Sequence, residues 1–324
     1  MAITLRNLLA VFMSASLVYA GSVCAQNYPV KPIRIIVPYA PGGSTDVVMR
    51  ILAPRLTEIL GQQAVVENRP GGSSTIGLDI AAKSAPDGYT LGVANLTFGA
   101  NPSLIKKMPF DTEKDLLPVS LVSIVTLVLT VHPSVPARTV KQLIALAKMK
   151  PGSLNYGSAG NASANHLATE RFNYMTGTKM VHIPYKGGGP AVISVVSGET
   201  AILMATIPSS IQHFQSGRLI PLGVSSLQRN AALPAIPSIA EAGVPGYEAI
   251  EWNGVVVPAG TPAAVISRLH QALAKSLSIP EVKERILSLG ADPVGSSPEE
   301  FVAFIKKELA TWSKVIKEVG ITVE

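Results

Sequence analysis

Apolar and polar positions along this chain switch between two periods, and the switches mark its elements. Ile33, Ile35, Ile36 and Val37 form a short, mostly β-branched run that suits a buried strand. Pro38 ends the run because it has no N–H for a ladder. Gly42 and Gly43 follow, and Ser44, Thr45 and Asp46 open a helix with Val47, Val48, Ile51 and Leu52 on its apolar face. Ala64–Glu67 predicts a second strand, and Asn68–Gly72 a turn. Ser73, Ser74 or Thr75 starts a helix that reaches about Lys83. Tyr89–Ala94 predicts a third strand, which runs into a polar loop at Asn95–Asn101.

The apolar run Val119–Val131 reads as a crossing into a second lobe, where the pattern restarts. A helix is expected at Val140–Met149, a strand near Leu154–Tyr156, then the small-residue loop Gly157–Ser163 and a helix from Ala164 to Met175. Met180–Ile183 predicts a strand, Pro184–Gly189 a glycine turn, Pro190–Ser197 a helix and Ala201–Ala205 a strand. Leu219–Val224 reads as the return crossing. A Pro-rich loop at Leu233–Pro245, a short strand near Val255–Val257 and amphipathic helices at Pro262–Leu277 and Pro298–Val319 complete the chain. The reading is α/β: two lobes, 26–125 with 225–324 and 126–224, joined by two crossings. Strands alternating with helices predict a mostly parallel sheet with ligands at the carboxyl ends of its strands. Those ends carry Tyr39–Thr45, Arg69–Ser74 and Asn95–Gly99, with further glycine corners at Tyr156–Ser163 and Tyr185–Pro190.

The amino terminus changes the compartment expected. Arg6, an apolar run from Leu8 to Ala20, and Val23-Cys24-Ala25 have the layout of a cleavable secretory signal over Met1–Ala25. A lipoprotein signal at Cys24 ranks second, because Gly21 and Val23 suit that processing poorly. The single cysteine then leaves with the leader, so the mature chain has no thiol for a disulfide, a metal or a nucleophile. The formal charge of +6 is spread among acids and not gathered into an aromatic-lined stripe, which argues against nucleic acid.

The glycine corners leave helix-start N–H groups unpaired, and such starts attract anions. Several corners expected to face one cleft favour ligand binding over simple turns. Asp46 at an anion site is expected to cap the helix or order Tyr39–Ser44, not to touch an anion itself. His166 and Glu170 lie one helical turn apart, but with no third ligand the core reading outweighs a metal site. Lys186 fits ion pairing and plain exposure equally well. Trp252 and Phe98 offer an apolar wall, with core packing favoured for Trp252. Enzyme motifs are wanting: no G-x-S-x-G elbow, no phosphate-binding P-loop, no G-x-G-x-x-G after the first strand, and no acid placed to orient His166 beside Ser158. A serine-dependent hydrolase is therefore a remote alternative.

The segments VPYAPGGSTD, ENRPGGSSTIG, APDGYTL, NYGSAGNASANHLA, VHIPYKGGGPAV, AEAGVPGYE, VPAGTP and SPEEFVAFIKKELATWSKVIKEVGI occur in order. Through them the chain resembles the Bug (TctC-like) receptors, the periplasmic solute-binding proteins of tripartite tricarboxylate transporters. The resemblance implies a type II periplasmic binding fold, a cleft between the lobes, and no cofactor. It implies a small carboxylate ligand: a di- or tricarboxylate, an acidic amino acid or an aromatic acid. It implies as partners the membrane permease subunits, or a sensor kinase in a signalling variant, with a monomer expected. Carried over to this chain, the ligand-binding positions are Tyr39, Ala40, Gly43, Ser44 and Asp46, with Thr97 and Phe98, and, in the second lobe, Ser158, Ala159, Asn161, His166, Tyr185, Lys186 and Gly187. Three positions depart from the family pattern: Ser194 and Ala201 stand where acids are usual, and Asn253 where an aromatic is frequent. The lost acids bear on the ligand class, above all on any ligand with an amine.

Overall fold

The computed structural model describes residues 28–320. The expected leader over Met1–Ala25, with Cys24, lies outside them. The first unit is as anticipated. Strand β1 (Ile33–Val37) buries every residue but Arg34, which reaches out to Glu67. Helix α1 (Ser44–Leu60) sinks Val48, Met49, Leu52 and Leu56 beneath it and ends at Gly61, whose φ of 71° suits a left-handed cap. β2 (Ala64–Asn68), α2 (Thr75–Ala82) and β3 (Thr90–Asn95) follow, with a tight 3-10 turn at Gly72–Ser74 before α2.

A helix, α3 (Leu96–Leu104), replaces the polar loop expected at Asn95–Asn101. Gly99, Asn101 and Pro102 read as breakers, yet tertiary packing overrides them. Leu96, Phe98 and Ala100 are buried, and a Cβ on Gly99 would come within 3.1 Å of Glu308 Cβ on the last helix. Asn95 Oδ1 accepts the Thr97 N–H at 3.1 Å and caps the helix.

Strand β4 (Leu116–Val131) spans 16 residues, about 50 Å at ~3.3 Å per residue. It begins before Val119, with a register shift between Pro118 and Ser120 absorbing the proline. From Leu116 to Thr126 it pairs with β9 (Ile250–Pro258), and with β10 (Ala291–Pro293) over Ser123–Val125. From Leu127 to Val131 it pairs with β7 (Ile202–Thr206), and from Val128 to Val131 with β8 (Ile220–Val224). The second lobe is built on α4 (Val140–Met149), β5 (Asn155–Ser158), α5 (Ala164–Thr176), β6 (Val181–Pro184), α6 (Gly188–Val196) and α7 (Ile207–Gln215). The chain returns beside β4: the Ser225 N–H donates to Leu127 O at 2.8 Å, and the Ala249 N–H to Ser225 O at 3.0 Å. Two crossings thus run side by side. The sheet order is β2-β1-β3-β9-β4-β7-β5-β6, parallel in each lobe away from the antiparallel crossing strands.

β9 is longer than the strand expected near Val255–Val257, and α7 and α9 (Pro280–Ser288) were not expected at all. α8 (Ala263–Ser278) and α10 (Pro298–Val319) match the amphipathic pattern; Ser297 and Glu300 form a capping box at the start of α10. Trp252 is fully buried, edge-on to Phe301 and Phe304, so it packs the core. No helix of the described residues is long and apolar enough to cross a membrane.

Candidate functional site

The two lobes face each other across a cleft with an outer and an inner part. The outer cavity, about 710 Å³, lies between the ends of β1 and β2 on one side and of β5 and β6 on the other. Tyr39, Ser74, Ala159, Asn161, Tyr185 and Lys186 are among the residues on its wall. Tyr39 and Ala159 also border the inner cavity, which at about 20 Å³ has room for one small group. Four helices begin there. α1 starts after Gly43, α6 after Gly187 and α7 after Thr206, all three with no side chain capping the first N–H groups. α5 starts after Ser163, which is itself the cap. Ser44, Thr45 and Thr206 add hydroxyls, and no Lys, Arg or His borders this inner cavity. Such a wall offers an anion donors and helix-dipole ends without a formal positive charge.

Glycines let the lobes meet. The Ala40 N–H donates to Lys186 O across the cleft at 3.2 Å, and a Cβ on Gly187 would fall 2.9 Å from that same Ala40 nitrogen. Gly42 (φ 88°) and Gly187 (φ 138°) occupy backbone regions that favour glycine. Gly43 does not: its φ of −78° suits any residue, and a Cβ there would stand in ordinary contact with Gly188, 3.5 Å from its nitrogen.

Asp46 plays the ordering part expected of it. It accepts the Gly42 N–H at 3.0 Å and is held by Arg50 and by Asn68, which also donates to Tyr39 O at 2.9 Å. Burial alone would raise its carboxyl, but the bonds from Arg50, Asn68 and Gly42 hold it below the usual range. Thr97 lies behind the wall, its hydroxyl 2.6 Å from Ser74 Oγ and 3.0 Å from the Tyr39 hydroxyl. Burial pushes the Tyr39 phenol up to about 12, so it is a neutral donor.

Seven of the expected positions line neither cavity: Ala40, Asp46, Thr97 and Gly187 in the loops and network just described, and Phe98, Ser158 and His166 deeper in the protein. Phe98 is buried against Phe110 in the core, so its apolar wall faces inward. His166 is buried with Nδ1 accepting the Ala162 N–H at 3.1 Å, and its ring stacks on His182 at 4.0 Å. Burial first, then the neighbouring ring, lowers His166 to about 3; burial lowers His182 to about 4, so both are neutral. Glu170 accepts from the Tyr156 hydroxyl at 2.6 Å instead of joining His166. Ser158 is fully buried and bonded to His182 Nε2 at 2.6 Å, which braces the loop and gives a solvent-borne substrate no access to the hydroxyl.

The departures from the family pattern are neutral, and all but one are satisfied: Asn253 Oδ1 is buried without a hydrogen-bond partner. Ser194 Oγ pairs with Thr200 Oγ1 at 2.7 Å, the Ala201 N–H donates to Asn155 Oδ1 at 2.7 Å, and Asn253 donates to Ser123 at 3.3 Å. One acid enters that the sequence did not point to. Glu251 on β9 borders the inner cavity, 7% exposed. It accepts from Ser44 Oγ at 2.9 Å and, more loosely, from Asn95 Nδ2 at 3.4 Å. Burial, partly offset by these bonds, pushes it up to about 7. A lone acid in an apolar strand carries no motif, so only the fold could place it here.

The family model described as tripartite tricarboxylate transporter family receptor matches residues 48–321. Protein BugT of Bordetella pertussis is 39% identical over 303 residues, 93% of each chain. Among solved structures, R. palustris Rpa4515 with adipate superposes with a TM-score of 0.89 at 35% identity, covering 91% of this chain and 99% of that one. MatC (Rpa3494) from Rhodopseudomonas palustris with bound malate gives 0.85 at 28% identity, covering 89% and 100%. A match over most of the sequence, in relatives of the same length and the same two-lobed shape, makes the chain a member of the tripartite tricarboxylate transporter receptor family, the Bug-type periplasmic solute-binding proteins.

Proposed function

We propose that this protein captures a small carboxylate in the cleft between its lobes and presents it, as a monomer, to the membrane permease subunits of a tripartite tricarboxylate transporter. The observation that carries the ligand class is the inner cavity, where three uncapped helix starts and the hydroxyls of Ser44, Thr45 and Thr206 converge with no basic side chain. Donors in such a place favour an ionised acceptor, each contributing about 1.5–3 kcal/mol when buried. The adipate and malate held by two relatives support the same class. In this reading Tyr39, Gly43, Ser44, Ala159 and Asn161 contact the ligand, Ala40, Asp46, Ser158 and Gly187 shape its loops, and Lys186 and Tyr185 stand at the outer cavity.

The lobes we assign are 26–125 with 225–324, and 126–224. β4 changes partners between Thr126 and Leu127, which supports a hinge there. A thermal-shift screen of di-, tri- and monocarboxylates tests the reading, because a ligand bound only by the folded state raises the melting temperature. We expect at least one carboxylate to raise it with a saturable dependence on concentration. Shifts from uncharged sugars or amines and from no carboxylate would overturn it.

A further inference from the structure

We propose that Glu251 selects the group accepted at the inner end of the cleft, donating a hydrogen bond to a bound carboxylate as a neutral acid, so that capture of the anion takes up one proton. This rests on the carboxylate reading above and adds to it the residue that sets the protonation state of the complex.

Geometry comes first. Glu251 lies opposite Val125 on the crossing strand, at the foot of the cleft, with its carboxyl bordering the inner cavity beside the start of α1. An anion drawn to the uncapped N–H groups of α1 and α6 in so small a space stands beside that carboxyl. Two ionised carboxylates cannot share such a site; one of them must hold a proton. Nothing basic compensates. Ser44 and Asn95 are its neutral partners, and the titratable group facing it is Tyr39, whose phenol is tied to Asn95 and Thr97 and is neutral. On α1, Asp46 and Arg50 are paired with each other. On α5, His166 is neutral and engaged with the Ala162 N–H.

The proton belongs on the protein. Burial already lifts Glu251 to about 7, whereas free carboxylic acids titrate roughly between 3 and 5. A neutral Glu251 turns one oxygen into an O–H donor, and an O–H to carboxylate bond is short and strong. An ionised Glu251 would repel the same ligand. The site therefore prefers a carboxylate over a ligand that presents an amine at this end, which would demand the ionised form.

Calorimetry with adipate and with malate between pH 6.5 and 9, where both are fully ionised, tests this. The dissociation constant should stay flat up to about pH 7 and then rise about tenfold per pH unit. Titration at pH 8 in two buffers of different ionisation enthalpy should show one proton taken up per ligand. Glu251→Gln keeps a donor of the same shape that cannot titrate, so it should bind at pH 6.5 with similar affinity, lose the pH dependence and take up no proton. Melting curves of the variant establish that it is folded. An affinity of the wild type that is constant to pH 9, or a folded Glu251→Gln protein that binds neither probe at any pH, would overturn the proposal. If the wild type binds neither probe, the same titrations are made with the carboxylate that raises the melting temperature in the screen, and the carboxylate reading falls only if none does, which separates the two failures.

Discussion

Asp46 carries little exposed surface and no contact with the cavities, yet the shape of the first glycine loop depends on it. Its carboxylate accepts the Gly42 N–H, while Arg50 and Asn68 close around it. Asp46→Ala leaves that N–H and the guanidinium without their acceptor, and should cost about 1–3 kcal/mol of stability in urea unfolding. The carboxyl is held below its ordinary range in the folded state. Its contribution is therefore complete above the unfolded value near 4 and is lost as pH falls through the lower, folded value. Asp46→Asn should flatten that acid limb. Among single residues, those legible in the sequence were the ones whose chemistry is local: Ser44 and Asp46 opening a helix, glycines at a turn. Glu251, Thr206 and His182 were not legible, because each matters only through a partner brought from far along the chain.

Asn95 joins two elements and the site. Its Oδ1 caps α3 and meets the Tyr39 hydroxyl at 3.2 Å, and its Nδ2 reaches Glu251. Asn95→Ala should lower stability by about 1–2 kcal/mol through the lost cap. Asn95→Asp should recover the cap but place a second carboxyl beside Glu251, weakening carboxylate binding while the melting temperature falls less. Chemical denaturation and calorimetry on the pair separate the two roles. This helix also marks where pattern reading stops. α4 was legible to the residue because Thr139 caps it and its apolar positions keep a helical period. α3 was not, because Gly99 and Pro102 look like breakers until α10 lies against them. α7 and α9 are nine residues each, too short for their periodicity to stand out, and β9 merges with the loop that feeds it.

Buried titratable groups make the stability of the folded protein depend on pH from two directions. His166 and His182 have folded values near 3 and 4, below the unfolded value near 6.5. The unfolded chain therefore binds more protons below about pH 6.5, and stability falls as pH drops from there. Glu251, raised to about 7, has the opposite sign: its share is present below the unfolded value near 4.5 and is lost as pH rises to about 7. Urea unfolding from pH 8 to 5 should show an acid-side loss in Glu251→Gln steeper than in the wild type. A shallower loss would contradict the assignment of signs.

Two crossings at Thr126–Leu127 and Ser225 let the lobes move as units, and the Ala40–Lys186 hydrogen bond spans the cleft between them. Small-angle scattering should give a smaller radius of gyration with adipate or malate bound than without. An identical profile at saturation would count against hinge closure.

The central claim is that backbone donors and hydroxyls, not a lysine, hold the anion. Gly43 and Lys186 separate the alternatives. Gly43 has an ordinary φ, so Gly43→Val folds without backbone strain but pushes its methyls into the gap against Gly188 and over the inner cavity. Lys186 is an exposed rim charge. Calorimetry on both variants with adipate and malate is the direct measurement. Gly43→Val should weaken binding at least about a hundredfold, the loss of roughly two buried donors, and Lys186→Ala less than about fivefold, the worth of a screened surface charge. If Lys186→Ala is the more damaging of the two, the site is a charge-paired one and the backbone account is wrong.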